Sequence, residues 1–232
     1  MSNINFCLEN RILFEDNHLI AINKKSGELV QGDKTGDIPL LDSVKAFLKK
    51  KYNKQGEAYL GLVHRLDRPT SGIVVFAKSS KALVRLNKQF KLRTPKKTYW
   101  VIVSKKFLHK EGSLTHWMTR NTKQNKSKAH ADEVPNSKFA KLYFKSLKSF
   151  DNYRLLEVNL KTGRHHQIRA QLSAINFPIQ GDLKYGALRN NCDGSISLHA
   201  RSLEINHPVT KNKLFFSANP QKVGIWKAVL YD

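Results

Sequence analysis

"LGLVHRLDRPTSGIVVFAK", residues 60–78, decides the fold. Residues 60–67 read as a strand that ends at Asp67. Residues 68–72, Arg-Pro-Thr-Ser-Gly, turn the chain. Residues 73–78 return as a β-branched strand of the kind buried on both faces. Two strands joined this closely pair antiparallel. Immediately beyond, Ser79 or Ser80 can cap a helix whose apolar face is Leu83, Leu86 and Phe90. Strand, turn, strand and helix in so short a span point to an α+β chain.

The flanking sequence extends this pattern in both directions. Residues 12–24 read as two short strands around an Asp16-Asn17 turn. Residues 26–37 are loop, and Leu41, Val44, Leu48 and Tyr52 recur at helical spacing over 41–53. Downstream, 97–103 and 113–120 read as strands. Residues 120–130 are polar and basic with no apolar period, which predicts a mobile loop. Residues 138–150 and 153–160 read as a hairpin about Asp151-Asn152. A helix is expected over 162–176, with Thr162 as its cap and Ile168, Leu172 and Ile175 on one face. Strands follow at 196–205 and 213–218. The expected architecture is a largely antiparallel mixed sheet flanked by helices and loops. At 232 residues it is expected to be a single domain, 1–232, with its core over about 11–220.

A chain 40% hydrophobic and 9% aromatic is globular. Its longest apolar runs are strand-sized, too short to span a bilayer. The opening "MSNINFCLENR" carries acid where a signal peptide needs base, so a cytoplasmic protein is expected. Cys7 and Cys192 are the only cysteines and read as reduced thiols. Against 18 Asp and Glu stand 41 Lys and Arg, a net charge of +23, which calls for a polyanionic partner. Nucleic acid is the first choice. A membrane surface fits less well, because no basic amphipathic helix with a Trp/Phe/Leu face is present. A monomer is the default expectation.

Metal and phosphate motifs are absent. There is no Cys-x-x-Cys or His-Glu-x-x-His, and "GDKTGD" (32–37) lacks the ending of a P-loop. His165 and His166, if helical, point about 100° apart and do not both face one ion. No metal or cofactor is expected. No Gly-x-Ser-x-Gly elbow organises a serine triad.

Asp67 remains. From residue 58 to residue 110 it is the only Asp or Glu, amid thirteen Lys and Arg. Arginine neighbours stabilise the ionised carboxylate. Such a group suits a nucleophile, a stabiliser of a developing cation, or a base toward a strongly acidified proton. It can equally be a turn cap or a partner of Arg65. A second cluster, Arg164, His165, His166 and Arg169, crowds the start of the expected 162–176 helix, where cations are locally unfavourable unless an anion offsets them. His165 and Arg169 would share a face, and Arg169 could reach inward to a carboxylate. Tyr99 in "PKKTYW" (95–100) faces opposite to Thr98 and Trp100. It reads either as a core aromatic or as a ring to stack on a base.

Taken in order, "HRLDRPTSG" (64–72), "KKTYW" (96–100), "TGRHHQIRAQL" (162–172), "PIQGDLKYG" (178–186) and "LHARSLEINHP" (198–208) resemble the RluA-type pseudouridine synthases. The resemblance runs from about residue 11 to residue 220 and implies the pseudouridine synthase fold in a stand-alone catalytic domain without an S4 domain. It implies isomerisation of uridine to pseudouridine in ribosomal or transfer RNA, without metal or cofactor. It implies that Asp67 is the catalytic aspartate, acting at C1′ or C2′ of the ribose, that Arg169 pairs with it, and that Tyr99 lies over the target base. Arg65 would fill the space left in the RNA stack by the flipped nucleotide, a step that costs a few kcal/mol. His64, Arg68, Arg164 and His165 complete the expected RNA contacts.

Overall fold

The computed structural model describes residues 8–231. Cys7 and most of the opening segment therefore lie outside the described residues, and Cys192 carries an exposed free thiol. The chain forms two compact units, 1–96 with 201–219 and 97–200 with 220–232.

In the first unit, β1 (Ile12–Glu15) pairs antiparallel with β2 (Leu19–Lys24). β2 pairs with β4 (Ser71–Ala77), and β4 also takes up β3 (Gly61–Leu62). β10 (Leu198–Asn206) and β11 (Lys213–Ser217) form a further antiparallel pair through residues 202–206 and 213–217. The central strands are apolar on both faces because both faces are covered. Ile20, Ile22, Val74 and Phe76 meet α1 (Leu40–Lys51) through Val44, Phe47 and Leu48. Leu19, Ala21, Val75 and Ala77 pack with Ala82 and Leu86 of α2 (Ser80–Leu92). α2 starts as expected, with the Ser79 hydroxyl accepting the Ala82 N–H, and stops at Arg93, whose φ of 58° is left-handed.

In the second unit the strand order is β5 (Lys96–Ser104), β9 (Tyr153–Leu160), β8 (Lys138–Ser149), β6 (Glu111–Asn121), β7 (Lys126–His130). All four pairings are antiparallel. α3 (Gln167–Ala174) covers one face, where Ile168 and Leu172 pack among Val101, Leu142, Leu156 and Val158. Burying each such side chain contributes about 1.5–3 kcal/mol. α4 (Ile225–Tyr231) sets Trp226 against Ile102 and Leu155. A 3-10 turn, Leu183–Tyr185, follows α3.

The α+β expectation with a largely antiparallel sheet holds. Four local expectations do not. The strand expected over 60–67 is only Gly61–Leu62, because the His64 ring takes the Val75 N–H and pairing stops. Residues 126–130, expected to be mobile loop, are strand β7, paired from Trp117↔His130 to Asn121↔Lys126. β7 lacks an apolar period because hydrogen bonds hold it: Ser127 N–H donates to the Tyr185 hydroxyl at 2.8 Å, and Ser127 Oγ lies 2.8 Å from His165 Nδ1. The helix expected from 162 begins at Gln167. Thr162 does not cap it, since its hydroxyl donates to Gln167 Oε1 and accepts the Lys141 N–H. Helix α4 was not anticipated.

Candidate active site

Asp67 stands in the link from β3 to β4, half-buried, on a turn closed by Thr70 N–H donating to the Asp67 carbonyl at 3.0 Å. Three anchors fix this turn. Gly27 N–H donates to the Arg68 carbonyl at 2.8 Å. Arg68 returns Nε to the Gly27 carbonyl at 3.1 Å and pairs through Nη2 with Asp37 at 2.7 Å. The third anchor is Lys24, 1% exposed, whose ammonium donates to the carbonyls of Lys25 (2.8 Å), Arg68 (3.2 Å) and Thr70 (2.7 Å). Burial pushes the Lys24 pKa down to about 7, against the upward pull of Glu28 and Asp67. The three N–H donors of the ammonium thus each meet a backbone carbonyl, and the Arg68 carbonyl accepts from both Lys24 and Gly27.

The other residues expected at this turn divide by exposure. Arg65 is exposed, with Nη1 3.5 Å from Gln31 Oε1. Arg68 is exposed but engaged as described. His64 is built into the fold: Nε2 accepts the Val75 N–H at 3.1 Å, and the ring stacks on Phe90 at 4.8 Å between centroids.

In the second unit, Tyr99 lies opposite Val158 on β5, half-buried, against the cluster that contains Ile168 and Leu172. Thr98, one residue earlier, bonds Asn159 across the strand pair. Arg164 and His165 precede α3 instead of lying on its first turns, because His166 adopts a left-handed φ of 51°. In that conformation the rings of His165 and His166 stack with centroids 3.8 Å apart, where a continued helix would splay them. His165 and Arg169 therefore do not share a helical face. Arg164 donates Nε to the Phe139 carbonyl at 3.0 Å, and its N–H goes to Gln167 Oε1. His165 Nε2 lies 3.0 Å from Asn125 Oδ1.

Arg169 is 5% exposed and points inward. Its Nε and Nη2 hold both oxygens of Asp182, at 2.7 and 2.9 Å, and its Nη1 lies 3.2 Å from His166 Nε2. Its guanidinium also sits 4.9 Å from the Tyr185 ring centroid. A buried pair of this geometry survives desolvation because both carboxylate oxygens and three guanidinium N–H groups are engaged. Neither Asp182 nor Tyr185 stands out as a functional residue in the sequence, although both lie in "PIQGDLKYG" (178–186). An acid bracketed by Ile179 and Leu183 was the available signal. Among the described residues no group of three His, Cys, Asp or Glu is placed to hold a metal ion, and no helix is long and apolar enough to cross a membrane.

The fold is that of the pseudouridine synthases. The human RNA pseudouridylate synthase domain containing 4 structure superposes with a TM-score of 0.79 at 24% identity, over 95% of this chain and 92% of that one. At this identity the likeness speaks for the fold. Residues 18–174 match the RNA pseudouridylate synthase family, and the chain belongs to it. Among curated relatives, it is 32% identical to tRNA pseudouridine synthase C of Pectobacterium carotovorum over 91% of this chain and 59% of the relative. It is 34% identical to ribosomal large subunit pseudouridine synthase D of Borreliella burgdorferi over 95% of this chain and 68% of the relative. The chain thus spans roughly three fifths to two thirds of the length of these relatives.

Proposed function

We propose that this protein isomerises uridine to pseudouridine in ribosomal or transfer RNA. The observation that carries the reading is the family match over 18–174, which contains Asp67, Tyr99 and Arg169. In this reading Asp67 is the reactive carboxylate, acting at C1′ or on the proton at C2′. Tyr99 lies over the flipped uracil, and Arg169 completes the catalytic set. The N1–C1′ bond breaks, the base turns, and C5 joins C1′ as the C5 proton leaves and N1 takes one up, so the RNA keeps its length and its base count. No metal or cofactor enters the reaction.

RNA is the partner that a net charge of +23 fits. Arg65, Arg68, His64, Arg164 and His165 are its assigned contacts, with Arg65 restacking the gap left by the flipped nucleotide. The protein acts as a monomer in the cytoplasm. The experiment is tritium release from 5-labelled uridine in RNA of cells lacking the gene. The wild type releases tritium and forms pseudouridine. Asp67→Asn and Asp67→Ala abolish release while retaining RNA affinity. Substantial turnover by either variant, or release of free uracil, rejects the assignment.

A further inference from the structure

We propose that Asp182, His166 and Tyr185 are positioning residues that form a buried relay holding the Arg169 guanidinium in one orientation, and that the Tyr185 hydroxyl fixes the His166 tautomer on which that orientation depends. The inference rests on the proposed role of Arg169 in pseudouridine formation.

A guanidinium has only donors, so the 3.2 Å approach of Arg169 Nη1 to His166 Nε2 is a hydrogen bond only if Nε2 offers its lone pair. The ring proton must then sit on Nδ1. Nδ1 lies 2.9 Å from the Tyr185 hydroxyl oxygen, which accepts it. That oxygen also accepts the Ser127 N–H at 2.8 Å, so both of its lone pairs are committed. The tautomer is therefore set at Nε2 by the donor-only guanidinium, and the Tyr185 hydroxyl supports it by accepting the Nδ1 proton. On the opposite edge of Arg169, Asp182 is 1% exposed and takes Nε and Nη2 in a fork. Three of the five N–H groups are fixed within this unit, which removes rotation about the terminal bonds of the side chain.

The charges around His166 support the neutral ring. Arg169 touches Nε2, and the Lys126 ammonium lies 5.3 Å from the centroid of the Tyr185 ring. The stacked ring of His165 is itself bound to Ser127 and Asn125. The one carboxylate of the relay, Asp182, is taken up by Arg169. A second proton on His166 would set N–H against N–H and turn an acceptor into a competing cation. The relay also reaches the β6–β7 hairpin, since Ser127 joins it through Tyr185.

The test uses the full chain with ¹⁵N-labelled histidine. At pH 7, His166, assigned by its loss in His166→Gln, shows a protonated Nδ1 and a bare Nε2. Tyr185→Phe keeps the ring and removes the acceptor. It gives a mixture of tautomers and slows single-turnover pseudouridine formation by up to about tenfold, the equivalent of one neutral hydrogen bond, with RNA affinity within about threefold. Asp182→Asn slows it further. A wild-type His166 protonated at Nε2 overturns the relay, as does a Tyr185→Phe enzyme that turns over at the wild-type rate. The spectrum of the wild type decides the matter even if Asp182→Asn fails to fold. Wild-type protein that forms no pseudouridine in any RNA refutes the proposed function, while the tautomer still reports on the relay.

Discussion

The Nε2 atom of His64 accepts the backbone N–H of Val75, 3.1 Å away, at the point where β3 stops pairing with β4. A side chain thereby completes what a strand would otherwise have supplied, and the chain is released from the sheet three residues before Asp67. His64→Ala leaves the Val75 amide buried without an acceptor and removes the ring stacked on Phe90. The expected cost is about 2–3 kcal/mol in urea unfolding. His64→Gln, which can still accept, costs less. Equal losses in the two variants would count against the hydrogen bond as the cause.

Acid unfolding should be traceable to Glu15. Burial raises its pKa, but hydrogen bonds from Lys51, Lys78 and Tyr52 bring it down to about 2. A carboxylate with a depressed folded-state pKa contributes stability that is present above about 4.5 and is lost as pH falls toward 2. Wild type should therefore lose about 2–3 kcal/mol more than Glu15→Gln over that window, part of the effect being screened at the exposed Lys51. Parallel acid titrations of the two proteins would show no coupling.

Lys24 should act at the other end of the pH scale. Its folded-state pKa of about 7 lies below the ordinary 10.5, so the unfolded chain binds its proton more tightly. Wild type then gains stability relative to Lys24→Met as pH rises from about 7 to 10.5, by about 1.4 kcal/mol per unit within the window. Thermal melts of both proteins at pH 7, 8 and 9 measure the difference. A constant gap would mean that the three carbonyls keep the ammonium charged throughout.

Gly181 has no room to change. Its φ is +89°, and a Cβ there would lie 2.7 Å from the Ser195 carbonyl oxygen and 2.8 Å from the Asn191 side chain. Gly181→Ala is expected to destabilise by about 2–4 kcal/mol, from left-handed strain and a backbone clash together. Because Asp182 follows directly, turnover should fall along with the urea midpoint. An alanine variant of wild-type stability would refute the crowding.

The sequence was most readable where burial imposes a period. β2, β4, α1 and α2 follow from apolar spacing alone, and the Ser79 cap from side-chain chemistry. It was least readable where polar groups bond one another across long separations. β7 has no apolar face because Ser127 answers to His165 and Tyr185, 38 and 58 residues away. The start of α3 is set by the backbone of His166, a left-handed residue that local propensity does not foresee. Asp67 stood out because it is alone in a basic stretch. Asp182 did not, since the partner that gives it meaning is thirteen residues distant.

Helix α3 is buried around its whole circumference from Gln167 to Leu172. Ile168 and Leu172 are held by packing, Gln167 by Thr162 and Lys141, Arg169 by Asp182, and Gln171 by the Leu114 and Ala140 carbonyls. Such a helix has no neutral side on which substitutions can accumulate. In a saturation library its first six positions should form the least permissive run of the chain, most of them for reasons of fit. The letters of "QIRAQL" would then persist through evolutionary drift as a block.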